Sequence, residues 1–165
     1  MRKELGYVIA PHALPGGLKV RQFFKIYQNV RMVTGDPWEP LVELLQLGAF
    51  LETLISDCSL GTKQKICIAS ALIGSPGLVI LDKSFNGLDT LAARRLREWL
   101  IGWGNENENC LLYASHMLDQ LRTLCDRILI VTKSGKIVDS ALDPVTLKEA
   151  SVDALEAKFL SLMSA

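Results

Sequence analysis

Five consecutive residues, Leu78-Val79-Ile80-Leu81-Asp82, limit what this chain can fold into. Four apolar side chains without alternation describe a strand buried on both faces, the kind found inside a parallel sheet. The run ends on a carboxylate, and Asn86-Gly87-Leu88-Asp89 follows after a short turn. A carboxylate at the end of a buried strand is placed to hold a magnesium ion on a nucleotide phosphate. Chemistry of that type then calls for a second carboxylate to polarise water. The next residue here is Lys83.

The rest of the chain supports one globular domain. Its 165 residues are 49% hydrophobic and 22% charged, enough for a core and too apolar for disorder. Lysine plus arginine equals aspartate plus glutamate, 18 each, so charge gives no reason to expect a nucleic-acid partner. Arg94, Arg95 and Arg97 form one short basic cluster, read as a solvated helix face. Cys58, Cys67, Cys110 and Cys125 have neither zinc-knuckle nor CxxC spacing; Cys67 and Cys125 sit in apolar patterns as small core residues. No apolar run approaches the ~20 residues of a membrane helix, and no signal peptide is expected.

Punctuation and periodicity predict alternating strands and helices. Leu5 to Ile9 reads as a strand, Val20 to Val33 as a helix, and Asp36-Pro37 as a helix start with Asp36 as cap. Leu41 to Leu54 suggests two short helices broken near Gly48, and Ser59 to Ile73 a third helix with a packed side. Asp89 is placed to cap a helix over Thr90 to Trp103. Cys110 to Ala114 is a strand, Met117 to Cys125 a helix, and Arg127 to Thr132 a strand turning at Ser134-Gly135 into Lys136 to Asp139. The tail from Pro144 to Met163 has helical spacing at Leu147, Leu155, Phe159, Leu160 and Met163. The expected fold is α/β with an incomplete, mostly parallel sheet. Its expected parts are a helical subdomain over 20–75, a core over 76–140 and a helical tail over 141–165.

Three sites carry chemistry, in a fixed order. Ser59-Leu60-Gly61-Thr62-Lys63-Gln64-Lys65 begins a helix, where a hydroxyl and open backbone N–H groups meet the positive end of the dipole and favour an anion. Asp82 ends its strand, ahead of Asn86 to Asp89. Ser115-His116 lies just past the next strand, where an imidazole can hydrogen-bond a terminal phosphate. Taken singly these read as a capped helix, an ordinary strand end and a structural histidine; their order and spacing together say more.

In that order the chain resembles the nucleotide-binding domain of ATP-binding-cassette (ABC) transporters, which has a P-loop NTPase-like core. Ser59 to Lys65 resembles the family's signature motif in the form found in multidrug and ABC-2-type exporters. Leu78 to Asp82 resembles Walker B, Asn86 to Asp89 the D-loop, and His116 the switch histidine. Leu124-Cys125-Asp126-Arg127-Ile128, Gly135-Lys136-Ile137-Val138 and Ala154 to Leu160 extend the resemblance over nearly the whole chain. It implies ATP and Mg2+ as cofactors, with Ser59, Gly61, Thr62 and Asp89 on nucleotide, Asp82 on metal and His116 on the terminal phosphate. It also implies a membrane permease and a second nucleotide-binding subunit as partners, and a cytoplasmic place on the inner face of the membrane.

The departures matter equally. No GxxxxGK[ST] phosphate loop is present, and Ala10 stands where the family has a metal-sensing glutamine or acid. Lys83 replaces the general base; an ammonium attracts phosphate but does not activate water. The expectation is a degenerate or truncated ATP-binding subunit. It would lend signature motif and D-loop to a composite site and hydrolyse nothing alone. The alternative is a non-catalytic fragment or interaction module that touches a permease or regulator through Leu41 to Leu54. Without the strand of the missing loop, the sheet should expose an edge and an apolar face.

Overall fold

The computed structural model describes residues 5–106, 109–132, 134–139, 146 and 149–163. The chain divides into two units, Met1–Leu112 and Tyr113–Ala165.

In the first unit, β1 (Leu5–Tyr7) pairs in parallel with β2 (Leu78–Asp82), and β3 (Cys110–Ala114), along which the chain passes into the second unit, follows β2 in the sheet order. Between β1 and β2 come α1 (Val20–Arg31), α2 (Glu39–Leu44) and α3 (Leu60–Leu72); α4 (Thr90–Gly104) links β2 to β3. α3 is buried on nearly every side from Ile66 to Leu72, as a helix in a core must be. Val79 and Leu81 of β2 are fully buried, and so is Phe24 of α1, stacked on Trp38 with ring centroids 6.0 Å apart. α4 buries Ala92, Leu96, Leu100 and Trp103, one stripe at helical spacing. Near its end Trp99 and Trp103 lie nearly parallel, 6.3 Å between centroids and 11° between planes.

One buried cation ties three elements together. Arg31, at the last turn of α1, donates from Nη2 to Leu5 O and to Ala71 O, both at 3.1 Å, joining α1 to β1 and to the end of α3. Burial lowers its pKa from the ordinary arginine value. Gly6 sits at the same junction. A Cβ there would meet Ala71 O at 2.4 Å and Pro76 Cγ at 2.9 Å, so α3 approaches β1 only because the residue is glycine.

Several expected boundaries move. The first strand stops at Tyr7 rather than Ile9: Val8 N–H still reaches Ile80 O at 3.2 Å, but Pro11 has no N–H and starts a 3-10 turn over Pro11–Ala13. The helix expected to Val33 ends at Arg31, because Met32 turns left-handed at φ 54. Asp36 is not a side-chain cap. Its carbonyl accepts from Glu39 N–H at 3.0 Å in a turn, and the helix starts at Glu39 with Pro40, not Pro37, in its first turn. The break before Gly48 falls at Gln46, whose φ of 55 stops α2, and 3-10 turns at Gly48–Phe50 and Ile55–Asp57 replace the second helix.

The second unit holds the end of β3, α5 (Leu118–Leu124), β4 (Leu129–Val131), β5 (Ile137–Asp139) and α6 (Val152–Met163). β4 and β5 form an antiparallel pair with Ile130 opposite Val138, shorter than the strands expected over 127–132 and 136–139. Arg127 crosses the pair to Asp139 at 2.6 Å. Arg122 Nη1 donates to Ala150 O at 2.7 Å. The start of the expected tail helix, at residues 144, 145, 147 and 148, lies outside the described residues. Among the described residues no helix is long and apolar enough to cross a membrane.

Candidate functional site

The start of α3 and the loop after β2 form one edge. Ser59 caps α3: its Oγ accepts from Thr62 N–H at 3.1 Å and lies 2.9 Å from Thr62 Oγ1. When Thr62 donates across that hydroxyl pair, the Ser59 proton is left for an outside acceptor. The first N–H groups of the helix have no intrahelical partner, so this end attracts anions. Gly61 faces the loop closely; a Cβ there would lie 2.9 Å from Gly87 O. One turn on, Gln64 Nε2 donates to Ser84 O at 2.9 Å in a buried contact, and Lys65 Nζ meets Asp89 Oδ2 at 2.6 Å.

Asp89 has two tasks in the chain. Oδ2 takes the Lys65 ammonium and Oδ1 accepts from Ala92 N–H at 2.8 Å, capping α4 as expected. The Lys65 contact first, and the Ala92 N–H second, hold its carboxyl below the usual carboxylate range. Its side chain is still 55% exposed.

Asp82 and Lys83 are both exposed at the end of β2, followed by buried Ser84 and Phe85. Lys83 adopts φ 48, a left-handed backbone that costs a lysine about 1–2 kcal/mol. Asn86 N–H closes the turn onto Lys83 O at 3.0 Å. Lys83→Gly should therefore stabilise the chain by about 0.5–1 kcal/mol, the relief of strain less the entropy of glycine in the unfolded state. A urea midpoint that falls instead would show a side-chain contact of Lys83 to be worth more than its strain.

Ser59, Gly61, Thr62, Asp82, Lys83 and Asp89 thus lie on two segments that Gln64 and Lys65 hold together. His116 belongs to the second unit, exposed in the bend before α5, where Met117 N–H donates to Ser115 Oγ at 3.0 Å. Ala10 is exposed ahead of the first 3-10 turn. Gln64, Lys65 and Gly87 stand inside the two motifs read from the sequence, but their part in joining the two segments was not expected. The available signal was spacing: Gly61, Gln64 and Lys65 at i, i+3 and i+4 share one helix face.

The residues fit a metal and a nucleotide in part. Asp82 is a hard oxygen donor of the kind Mg2+ accepts, and Mg2+ is often held by one carboxylate plus phosphates. Among the described residues no three His, Cys, Asp or Glu side chains gather to hold a metal. The α3 start suits a terminal phosphate. Neither of two cavities on the first unit, one at Trp38 and Val42 and one at Trp99 and Trp103, includes a residue of this edge.

No family model matches the chain. Individual proteins do. The ABC transporter ATP-binding protein YhcH of Bacillus subtilis strain 168 is 32% identical over 126 residues, 76% of this chain and 40% of YhcH. The molybdenum import ATP-binding protein ModC of Escherichia coli K12 is 31% identical over 144 residues, 87% of this chain and 40% of ModC. The chain thus spans about 40% of the length of these curated relatives. Among solved structures, an ATP-binding subunit of an ABC transporter superposes with TM-score 0.82 and 25% identity over 96% of this chain and 69% of that one. The fold also matches the dimeric ATP-binding cassette MJ0796, in a post-hydrolysis state bound to ADP and Pi, with TM-score 0.66 and 19% identity over 78% of this chain and 59% of that one.

Proposed function

The chain belongs to the ATP-binding proteins of ABC transporters, and from that premise we propose that it supplies one edge of an ATP site completed by a second nucleotide-binding chain, in an assembly with a membrane permease. The observation that carries this reading is the locked edge: the Ser59–Gly61 helix start fixed to the Asp82–Asp89 loop by Gln64 and Lys65. Ser59 and Gly61 face the terminal phosphate of a nucleotide held by the partner. Asp89 stays exposed enough to meet the partner across the interface. Where Mg2+ is bound to offset phosphate charge, Asp82 is the side chain here that would hold it. Lys83 contributes a cation where water activation needs a base, so the chain supports turnover without catalysing it. The MJ0796 structure, a dimer with ADP and Pi, supports the two-chain arrangement.

The permease side of the proposal rests on a groove of about 450 Å³ lined by Arg21, Trp38, Val42, Glu43 and Leu51. It overlaps the helical stretch that also carries the second reading, an interaction module without nucleotide chemistry.

Two measurements separate the readings. The purified chain should show no ATP turnover. Added to a complete ATP-binding subunit from the same cells it should raise turnover at least ~10-fold, and Ser59→Arg should remove the gain, since lost electrostatic stabilisation of a phosphate is worth that much. Turnover by the isolated chain that disappears with Asp82→Asn would overturn the composite site. Permease capture indifferent to Ser59→Arg, with no effect on turnover, would favour the interaction module.

A further inference from the structure

The end of α4 carries two rows of residues side by side. Glu98, Gly102 and Glu106 are spaced i, i+4 and i+8, and Trp99 and Trp103 i and i+4, so the rows are neighbours on one side of the helix. Glu106 falls just past the helix end, where the turn continues: its N–H donates to Trp103 O at 3.2 Å. These five residues, with Ser75 from the turn before β2, line a cavity of about 360 Å³ on the first unit. That is room for a small molecule. A Cβ at Gly102 would meet nothing within 4 Å, so the floor between the two carboxylates is open.

Every charged lining residue is acidic. Glu98 and Glu106 are exposed at the rim, and none of the others is basic. Arg94 Nε reaches Glu98 Oε1 at 2.8 Å, but the two side chains are 74% and 61% exposed, and such a pair contributes little. The cavity also sits at the C-terminal end of a 15-residue helix, the negative end of its dipole, and the last turn of α4 has no basic residue to answer it. The wall beside the carboxylates is aromatic, with Trp99 half-buried and Trp103 buried. The indole N–H of Trp103 is buried with no acceptor among the described residues. A leucine or phenylalanine would fill that space without leaving a donor unpaired, so what the indole adds here is its π face.

We propose that this cavity binds a small organic cation, an ammonium bearing alkyl groups, with its charge between Glu98 and Glu106 and its alkyl groups against Trp99. Carboxylates and a helix C-terminus attract any cation, and the indole face selects an organic ammonium among them. A metal ion does not fit. Among the described residues no three His, Cys, Asp or Glu side chains gather to hold one, and hard cations take several oxygen ligands. A nucleotide does not fit either, because its phosphates would meet two carboxylates. The cavity shares no residue with the edge from Ser59 to Asp89, so the inference does not depend on the nucleotide reading.

Choline and its neutral carbon analogue 3,3-dimethylbutan-1-ol test this directly, since they share a shape and differ in charge. In isothermal titration calorimetry of the purified chain, choline should bind at least ~10-fold more tightly than the alcohol. Trp99→Ala should weaken choline binding at least ~10-fold, the loss of one desolvated cation–π contact. Because Trp99→Ala also removes packing from α4, two further variants keep the fold. Glu106→Gln, an exposed change at the rim, should weaken choline about 3-fold, the worth of one exposed charge pair, and leave the alcohol unchanged. Gly102→Leu should fill the cavity and abolish binding while the urea midpoint holds or rises, glycine being a poor helix residue. Equal affinity for choline and the alcohol would reveal an apolar cleft without selectivity for charge. Choline binding unaltered by Gly102→Leu would place the ligand elsewhere, and no saturation by about 10 mM choline would mean no site. Each of these three results would overturn the proposal.

Discussion

Replacing Gly6 with alanine should destabilise the chain by about 3 kcal/mol, the upper end of what one forced methyl costs in a packed interior. The new Cβ would lie 2.4 Å from the carbonyl oxygen of Ala71 and 2.9 Å from Pro76 Cγ. The first of these is backbone and cannot swing aside. Relief requires the end of α3 to move off β1, and that carries Ala71 O away from the guanidinium of Arg31. Arg31 would then be a buried cation with fewer acceptors, which is costly in its own right. Urea unfolding of Gly6→Ala beside Gly17→Ala checks the argument. No atom lies within 4 Å of a Cβ at Gly17, so that control should stay within about 1 kcal/mol of the parent. Equal midpoints for the two variants would mean that α3 and β1 are not in contact as described.

Phe24→Ala should cost about 3–5 kcal/mol, the range for emptying a large buried aromatic site. Phe24 is fully buried, and Trp38, with which it stacks, is 1% exposed. Trp38 in turn carries the Arg21 guanidinium 5.5 Å over its ring and lines the groove proposed above to meet a permease. Loss of Phe24 should therefore loosen that groove as well as lower stability. Ile26→Ala on the same helix is the comparison, since Ile26 is 46% exposed and should change stability by under about 0.5 kcal/mol. A small effect at Phe24 would place the core of this region elsewhere.

These two sites differ in how readable they were. Val20, Phe23, Phe24 and Tyr27 announce a helix by spacing, and Phe24 follows as core. The same holds for Leu78 to Leu81, for the Ser59 cap and for the Asp89 cap, where local chemistry and tertiary structure agree. Asp36 misled because Asp-Pro is a helix-start pattern wherever it occurs; here the helix starts two residues later, with Trp38 ahead of it packed inward on Phe24. The left-handed residues Met32 and Gln46 carry no local signal at all. The close approach at Gly6 and the partners of Gln64 and Lys65 were not legible for a different reason. Each of the three acts on a residue far along the chain, at Ala71, Ser84 and Asp89, and no local pattern encodes such a pairing.

The two indoles near the end of α4 have an optical consequence. Trp99 and Trp103, 6.3 Å apart and within 11° of parallel, are close enough for their electronic transitions to mix. Where their transition dipoles are twisted about the line that joins them, such a pair gives paired bands of opposite sign in the circular dichroism, a signal that vanishes once the rings turn independently. With Trp38 the only other tryptophan, α4 carries its own chromophore couple, and the winding of its last turn can be followed by light without a label.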